Sequence, residues 1–255
     1  MLRYLAAQPD PVTLDRLAAE VGLPRSTAYH LVTAMIEEGF VVHLPDEHRY
    51  GLGVAAFEVG SGYARQEPLQ RITRRHLAAL VDAVGQSAHL AVLHGRDVLY
   101  VLEERAPGRP PLVTDVGVRL PAQLTASGRA ILADLPHPHV RALFPDAGAF
   151  VDRHGVGPQR LSELRRLLQS VRRTGVATED GEVTPGFASV AAAVHDHAGR
   201  PTAGLAVTFP AAEVDDPTRA ELARRVARAA AELTRRINGR SPERLGSRTT
   251  PPPGG

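Results

Sequence analysis

Residues 14–39 read LDRLAAEVGLPRSTAYHLVTAMIEEG, and this stretch decides the fold of the N-terminal part of the chain. Apolar residues recur at helical spacing on both sides of Gly22, which predicts two short helices. Thr13 is placed as the N-cap of the first helix, while Gly22 and Gly39 follow the two helices as C-terminal stops. Only a few residues separate the helices, so they must cross steeply. This is the helix-turn-helix arrangement.

The sequence on both sides of this stretch completes a winged helix-turn-helix over residues 1–52. Residues 40–52, FVVHLPDEHRYGL, give two β-prone runs around a Pro-Asp turn, which predicts a hairpin. Residues 2–7, LRYLAA, supply a first helix, and we expect the native chain to begin upstream of Met1. The buried stripe of the second helix of the pair is predicted to consist of Ala28, Leu31, Val32 and Met35.

The outer face of that second helix carries short polar and aromatic side chains instead of the usual solvating Lys and Glu. Such side chains near a helix N-terminus can reach base edges and phosphates in the DNA major groove. The predicted DNA contacts are Arg25, Ser26, Thr27, Tyr29, His30 and Thr33, with Arg49 in the wing. A polar surface without a partner is the alternative. This alternative is supported by the charge of residues 1–52, which hold four arginines and seven acidic residues, a net charge of −3 before histidine. DNA-binding domains usually carry a basic surface instead.

Composition narrows the possible functions. The chain has 255 residues, 43% of them hydrophobic, and shows neither a signal peptide nor an apolar run near the ~20 residues of a membrane helix, so we expect a cytoplasmic protein without membrane contact. The absence of cysteine excludes disulfides, thiolate metal sites and cysteine nucleophiles. The net charge of +2 does not by itself indicate a nucleic-acid partner.

The rest of the chain alternates strand pairs with helices. Two β runs lie in residues 86–104 and two more in residues 188–210, each pair around a turn. Helices are predicted for residues 125–135, 158–173 and 218–237. This pattern favours an α+β domain built on an antiparallel sheet. Residues 239–255, rich in Pro, Gly, Ser, Thr and Arg, are predicted to be a disordered tail.

Residues 124–130, LTASGRA, place small residues at the start of a predicted helix. The free N–H groups and the dipole of a helix N-terminus favour an anion, so Ala126, Ser127 and Gly128 could bind a carboxylate with main-chain donors. A helix cap whose small residues only allow close packing is the alternative.

Several stretches of the chain together resemble the IclR family of bacterial transcriptional regulators. The similar stretches, in order, are residues 14–41, YGLGVAAFEVGSGYAR at 50–65, RLPAQLTASGRAILADL at 119–135 and residues 175–210. The resemblance implies a linker helix at 53–68 and a GAF-like effector-binding domain at 69–238. The family usually has arginine at the position of His30, so this DNA contact is expected to be weaker and pH-dependent.

The resemblance also implies the effector site and the assembly. The expected effector is a small carboxylate, and the expected partners are a palindromic double-stranded DNA operator and a second copy of the chain, as a homodimer or dimer of dimers. Val54, Ala55, Phe57 and Val59 of the linker helix are expected to pack against the symmetry mate. Residues carried over to the effector site are Leu112, Glu179, Phe187, Ser189, Ala206 and Thr208, beside Ala126, Ser127 and Gly128.

Other constellations receive plainer interpretations. His137 and His139, and His195 and His197, have a spacing that could bring two imidazoles to a metal, but no third ligand is evident. Residues 179–182, EDGE, are interpreted as a solvated loop with one residue turned inward. No nucleophile-elbow motif is present, so we predict no enzyme activity, no cofactor and no metal. The sequence favours a ligand-responsive repressor of nearby catabolic genes. The alternative is a small-molecule-binding or catalytic GAF-like module whose N-terminal domain serves protein contacts.

Overall fold

The computed structural model describes residues 1–66, 68–237 and 239–240, and it divides into two compact units between residues 67 and 68. The predicted tail beyond residue 240 lies outside the described residues. The elements of the first unit are α1 Leu2–Ala6, β1 Val12–Thr13, α2 Leu14–Glu20, α3 Arg25–Glu37, β2 Val41–Leu44, β3 Arg49–Leu52 and α4 Val54–Gln66.

The first unit is the predicted winged helix-turn-helix. The Thr13 hydroxyl caps α2 by accepting a hydrogen bond from the Arg16 N–H at 3.4 Å. Gly22 and Gly39 end α2 and α3 in the left-handed conformation, with φ of 66° and 72°. Residues other than glycine rarely adopt this conformation, because their Cβ crowds the backbone. The core contains Leu5, Val12, Leu14, Leu17, Ala18, Ala28, Val32 and Val41.

Two details of this unit differ from the prediction. Leu31 is 41% exposed, so the buried stripe of α3 rests on Ala28 and Val32, with Met35 half-buried. The sheet also has a third strand, because β1 pairs with β3 on the side away from β2. Two residues are too few to show an alternating pattern, so no sequence signal marks this strand.

The second unit is an α+β fold with one antiparallel sheet, as predicted. Its strands run in the order β6-β5-β4-β9-β8-β7. Its elements are α5 Pro68–Val84, β4 Ser87–His94, β5 Asp97–Glu104, β6 Arg119–Pro121, α6 Ala126–Asp134, α7 His137–Leu143, α8 Leu161–Thr174, β7 Ala177–Asp180, β8 Phe187–His195, β9 Pro201–Pro210 and α9 Asp216–Arg236.

Helices cover both faces of this sheet. On one face α5 and α9 bury an aliphatic layer that includes Leu77, Leu205 and Val226. On the other face α6 and α8 pack against the sheet, and α6 is buried from Ala126 to Ala133. The central position of α6 agrees with its sequence, ASGRAILAD, in which most side chains are small or apolar.

Four elements of this unit were not predicted. The helix α5 was missed because it lies where the linker helix was expected to end, and α7 was read only as a histidine pair. The strands β6 and β7 are short edge strands with three and four residues. Among the described residues, none of the helices combines the length and the apolar character needed to cross a membrane.

Candidate functional site

The polar face of α3 lies on the surface of the first unit. Ser26, Thr27, Tyr29 and His30 are exposed, and Thr33 is half-buried. The Thr33 hydroxyl donates to the Tyr29 carbonyl oxygen at 2.9 Å, so its proton is already used within the helix. The exposed side chains form one surface near the N-terminus of α3. DNA contact by these residues remains a prediction.

The two arginines of this predicted surface already have protein partners. Arg25 Nε lies 2.5 Å from Asp15 Oδ1 of α2, and both side chains are largely exposed. Arg49 donates from Nη1 to the Pro11 carbonyl oxygen at 3.2 Å. An exposed ion pair contributes little to stability, so Arg25 can leave Asp15 at small cost. Contact of Arg25 with a phosphate must therefore compete with Asp15.

The second unit contains a cavity between α6 and the sheet. Its enclosed part is small: the centre of a water-sized sphere can reach about 20 Å³, and the empty space including the part open to solvent is about 360 Å³. Eight of the nine predicted effector residues line it: Leu112, Ala126, Ser127, Glu179, Phe187, Ser189, Ala206 and Thr208. His89, Tyr100, Val113, Thr114, Thr125, Val183 and Thr184 complete the lining and were not predicted.

Gly128 is the one predicted effector residue that does not line the cavity. Its N–H donates to the Thr125 hydroxyl at 3.0 Å, so Thr125 is the N-cap of α6 and occupies that donor. A Cβ at Gly128 would lie 2.3 Å from the Ala122 carbonyl oxygen. Gly128 instead allows α6 to pack closely against the backbone of Ala122. Of the first-turn donors, those of Ala126 and Ser127 remain for a ligand.

A chain of hydrogen bonds crosses the floor of the cavity over four strands. Ser189 Oγ donates to Glu179 Oε1 at 2.7 Å, Thr208 Oγ1 lies 2.8 Å from Ser189 Oγ, and His89 Nε2 lies 2.9 Å from Thr208 Oγ1. When Glu179 is ionised, its Oε1 can only accept, so Ser189 donates to it, Thr208 donates to Ser189, and His89 Nε2–H donates to Thr208. In that state the hydrogen bonds all run from His89 towards Glu179, and a proton on Oε1 would reverse them.

Four buried polar atoms of the lining have no hydrogen-bond partner of good geometry among the described residues. They are His89 Nδ1, Thr114 Oγ1, Ser127 Oγ and Glu179 Oε2. The four side chains are at most 5% exposed. Unpaired buried polar groups are rare and costly in folded proteins. Two of the groups still lie beside a donor, because the Tyr100 hydroxyl is next to Ser127 and the Val183 N–H is next to the Glu179 carboxyl. The concentration of the four groups around one cavity makes it the candidate site for a polar ligand.

The cavity disfavours charge on its own side chains. Burial lowers the pKa of His89 to about 4 and raises that of the Tyr100 hydroxyl, so both groups are neutral near pH 7. Burial also raises the pKa of Glu179 to about 7, against the hydrogen bond from Ser189, which favours the ionised form. Among the described residues that line the cavity, none is arginine or lysine.

An arginine behind the cavity fixes the turn that closes it. The Arg129 guanidinium of α6 is buried and donates to the Gln123 and Thr178 carbonyl oxygens at 2.8 and 2.7 Å. Its third bond, from Nη2, reaches Glu182 Oε1 at 2.8 Å. The predicted solvated loop with one inward residue is therefore wrong: Glu179 belongs to β7, and both it and Glu182 point inward.

The histidine pairs that the sequence singled out lie in two different places of the second unit. His195 is buried at the end of β8, where its Nε2 lies 2.9 Å from Asp134 Oδ2. His137 begins α7 and lies 3.4 Å from Arg172 Nη1. Within residues 1–66, 68–237 and 239–240, no group of three or more metal-ligating side chains is present.

One sequence signal could have found part of the missed lining. In residues 86–94, QSAHLAVLH, polar Ser87 and His89 alternate with apolar residues at the start of a buried strand. Such alternation marks side chains of one strand face, here the face that forms the cavity floor. Thr114 and Tyr100 carry no comparable local signal, because their approach to the cavity depends on how the loop and strands fold.

Comparison with known proteins gives one consistent result. Residues 61–235 match the family described as the bacterial transcriptional regulator IclR C-terminal region, and residues 1–45 match the IclR helix-turn-helix domain. The acetate operon repressor of Salmonella typhimurium is 28% identical over 241 residues, which are 94% of this chain and 88% of that protein.

Two further proteins agree with this match. The glycerol operon regulatory protein of Streptomyces coelicolor is 31% identical over 208 residues, 82% of this chain and 81% of that protein. An IclR homologue from Microbacterium hydrocarbonoxydans, solved in complex with 4-hydroxybenzoate, has a TM-score of 0.72 at 21% identity, covering 91% of this chain and 93% of that one. At this identity, the likeness to that structure shows the fold alone.

Proposed function

The chain belongs to the IclR family of bacterial transcriptional regulators, and from this premise we propose that it is a repressor whose operator binding is controlled by a small organic acid. As a member of this family it is a ligand-responsive, DNA-binding regulator of transcription. The controlled genes are proposed to lie nearby and to be catabolic, and the protein is proposed to act in the cytoplasm, where bacterial DNA lies.

One observation carries the ligand response. The second unit keeps four buried polar atoms unpaired around one cavity, while the first unit presents the exposed face of α3. A ligand that satisfies those atoms can shift a conformational equilibrium of the chain, and such a shift is how binding at one site changes affinity at another. The chain thus holds a sensor and a reader on separate units.

The proposed effector is a small organic acid, because the cavity combines hydrogen-bond donors for a carboxylate with apolar side chains that can contact the rest of the molecule. The N–H groups of Ala126 and Ser127, with the Ser127 and Thr114 hydroxyls, can donate to a carboxylate. Leu112 and Phe187 supply apolar contact, and Ala206 adds no hydroxyl. The Salmonella relative is named for an acetate operon, and the Microbacterium homologue was solved with an aromatic acid.

We assign no catalytic role to the chain. The ground for this is that the relatives above are named as regulators of transcription.

The proposed function is tested by operator binding with and without acids. A fluorescently labelled fragment of the region upstream of the gene is titrated with the full chain at fixed salt, and then with a panel of small carboxylic acids. We expect a palindromic site to be bound and at least one acid to change the affinity. Absence of sequence-specific binding would favour the rival function, a ligand-binding module whose N-terminal domain contacts protein.

Substitutions on α3 test the reader surface. Thr27→Ala and His30→Ala should each weaken operator binding by about 1 to 3 kcal/mol, because each removes one proposed base or phosphate contact. The matched controls are Thr178→Ala and His139→Ala, two exposed positions of the second unit that should leave affinity unchanged. Unchanged operator affinity in both α3 variants would rule out α3 as the reading helix.

The proposed homodimer places α4 against its symmetry mate. Val54, Phe57 and Val59 are 68%, 75% and 58% exposed on α4, and apolar side chains so exposed commonly mark an interface. In a dimer the two α3 helices can bind two operator half-sites together. This would compensate for the weak attraction between DNA and the acidic first unit. Whether two dimers associate further is part of the same proposal.

A charge on α4 tests the homodimer. Phe57→Asp should convert the protein to a monomer at micromolar concentration, because it places a carboxylate in the proposed interface. Sedimentation velocity measures the change, with Glu58→Gln on the neighbouring exposed position as control. A wild-type protein that sediments as a monomer and still binds the operator would contradict the assembly.

A further inference from the structure

The two oxygens of Glu179 differ in their surroundings. Oε1 lies 2.7 Å from Ser189 Oγ, and Oε2 is buried and has no partner of good geometry among the described residues. An ionised Glu179 accepts from Ser189 and offers at Oε2 an unused acceptor with a full charge. A proton on Oε1 would be donated to Ser189, whereas a proton on Oε2 gives an unused donor that a ligand can accept.

No arginine or lysine is among the described residues that line the cavity. Behind the carboxyl, the Arg129 guanidinium lowers the pKa of Glu179, but it is shared with two carbonyl oxygens and with Glu182, whose own charge raises that pKa. The other groups around Glu179 are neutral His89 of β4 and Tyr100 of β5, and α8 turns Leu164 and Leu168 towards this side of the sheet. On the outer side of β7 lies the exposed Asp180–Arg219 pair, and His154 contacts the Val183 carbonyl oxygen.

An anion in this cavity and an ionised Glu179 would be two like charges in one desolvated space. Such a pair repels strongly, and the usual solution in proteins is that one carboxyl keeps its proton. We propose that the cavity takes up an anionic effector together with one proton from solvent, which is held on the Glu179 carboxyl and can be donated from Oε2 in a hydrogen bond to the anion. This inference rests on the proposed function and names the chemistry of that site.

The proton balance sets the pH dependence. Burial raises the pKa of free Glu179 to about 7, while His89 and Tyr100 stay neutral from about pH 6 to pH 9. Below the pKa the proton is already present, so binding takes up none. Above it, each anion bound takes up one proton, and affinity falls about tenfold per pH unit, or about 100-fold from pH 6 to pH 9.

The probes are three acids and their primary amides: acetate and acetamide, lactate and lactamide, benzoate and benzamide. Each amide has nearly the shape of its acid but no charge, so it needs no proton on Glu179. Calorimetry in phosphate and in Tris separates proton uptake from binding, because the two buffers release different heat with each proton. We expect the bound acids to take up about one proton at high pH and the amides to take up none.

Glu179→Gln is the informative variant, because its side-chain amide imitates the protonated acid at both atoms. Its carbonyl oxygen still accepts from Ser189, and its NH₂ replaces the Oε2–H donor. Acid binding by this variant should be independent of pH and without proton uptake, and at high pH it should exceed that of wild type. Because the proton uptake is measured on wild type, the test does not depend on the folding of the variant.

Three results would overturn the proposal, and they are distinguishable. Acids that bind wild type at unchanged affinity across this pH range, without proton uptake, would refute the proton and leave the effector site standing. Amides that bind while no acid does would refute the anionic class, and with it the proposed organic acid. No binding by any probe at any pH would refute both, although operator binding would still support the DNA-binding role.

Discussion

Ser127→Leu should abolish the response to the effector while DNA binding without ligand survives. Ser127 lies at the first turn of α6 and lines the cavity, and its buried hydroxyl has no partner of good geometry among the described residues. On its other side the backbone of Gly204 comes so close that a Cβ there would lie 2.9 Å from the Ser127 Cβ. A longer side chain at position 127 must therefore extend into the cavity, where it occupies the space of the ligand.

The measurement is a thermal-shift or calorimetric screen of small carboxylic acids on wild type, followed by the variant on any hit. Ser162→Leu makes the same change at an exposed position of α8 and should keep the response. Thermal unfolding without ligand shows whether the variant remains folded. A hit that binds Ser127→Leu as tightly as wild type would place the effector site elsewhere in the chain.

A smaller change at the floor of the cavity should weaken ligand binding without abolishing it. Thr208→Val keeps the shape of the side chain but removes the hydroxyl between Ser189 and His89. We expect ligand affinity to fall by about 0.5 to 1.5 kcal/mol, the usual contribution of one hydrogen bond. The same titration measures this loss of affinity. A loss as complete as that of Ser127→Leu would show that the hydrogen bonds of the cavity floor contribute more to binding than one contact.

Arg129→Met should destabilise the second unit by about 3 to 5 kcal/mol, the cost of breaking a buried ion pair by removing one partner. Methionine keeps much of the volume but leaves Glu182 as an uncompensated, mostly buried charge. It also removes the donors of the Gln123 and Thr178 carbonyl oxygens. Urea unfolding followed by circular dichroism measures the change in the free energy of unfolding.

Two comparisons make the Arg129 result specific. Arg165→Met, at an exposed position of α8, should change stability little. The double variant Arg129→Met with Glu182→Gln should recover part of the loss, because the stranded charge is then gone. If Arg129→Met lowers the free energy of unfolding by less than about 1 kcal/mol, water or a rearranged turn must replace the hydrogen bonds of Arg129.

The first unit could be predicted almost completely from the sequence. Its helices are set by apolar spacing and by caps such as Thr13 and Gly22, which act between residues three or four positions apart. The wing is a hairpin, so its two strands also meet locally. Leu31 was misplaced because a helical stripe is wider than the core of a small domain, and one edge of it remains exposed.

The cavity was predicted only where a local motif or the family resemblance named a residue. The small residues of LTASGRA marked the start of α6, but the sequence could not separate a residue that faces a ligand from one that faces a neighbouring backbone. The structure separates them: Ser127 lines the cavity, and Gly128 packs against Ala122. The difference is one residue of helix rotation, about 100° around the axis.

The sequence by itself determined the helix-turn-helix, the two long strand pairs and the family, because these depend on spacing, caps and turns within short segments. Only the tertiary structure decided which polar groups share the cavity. His89 and Thr208 are 119 residues apart and meet because β4 and β9 are neighbours in the sheet. The protonation states of His89 and Glu179 also depend on burial, which no segment specifies alone. The hydrogen-bond network of the cavity floor and the charge of the cavity therefore follow from packing.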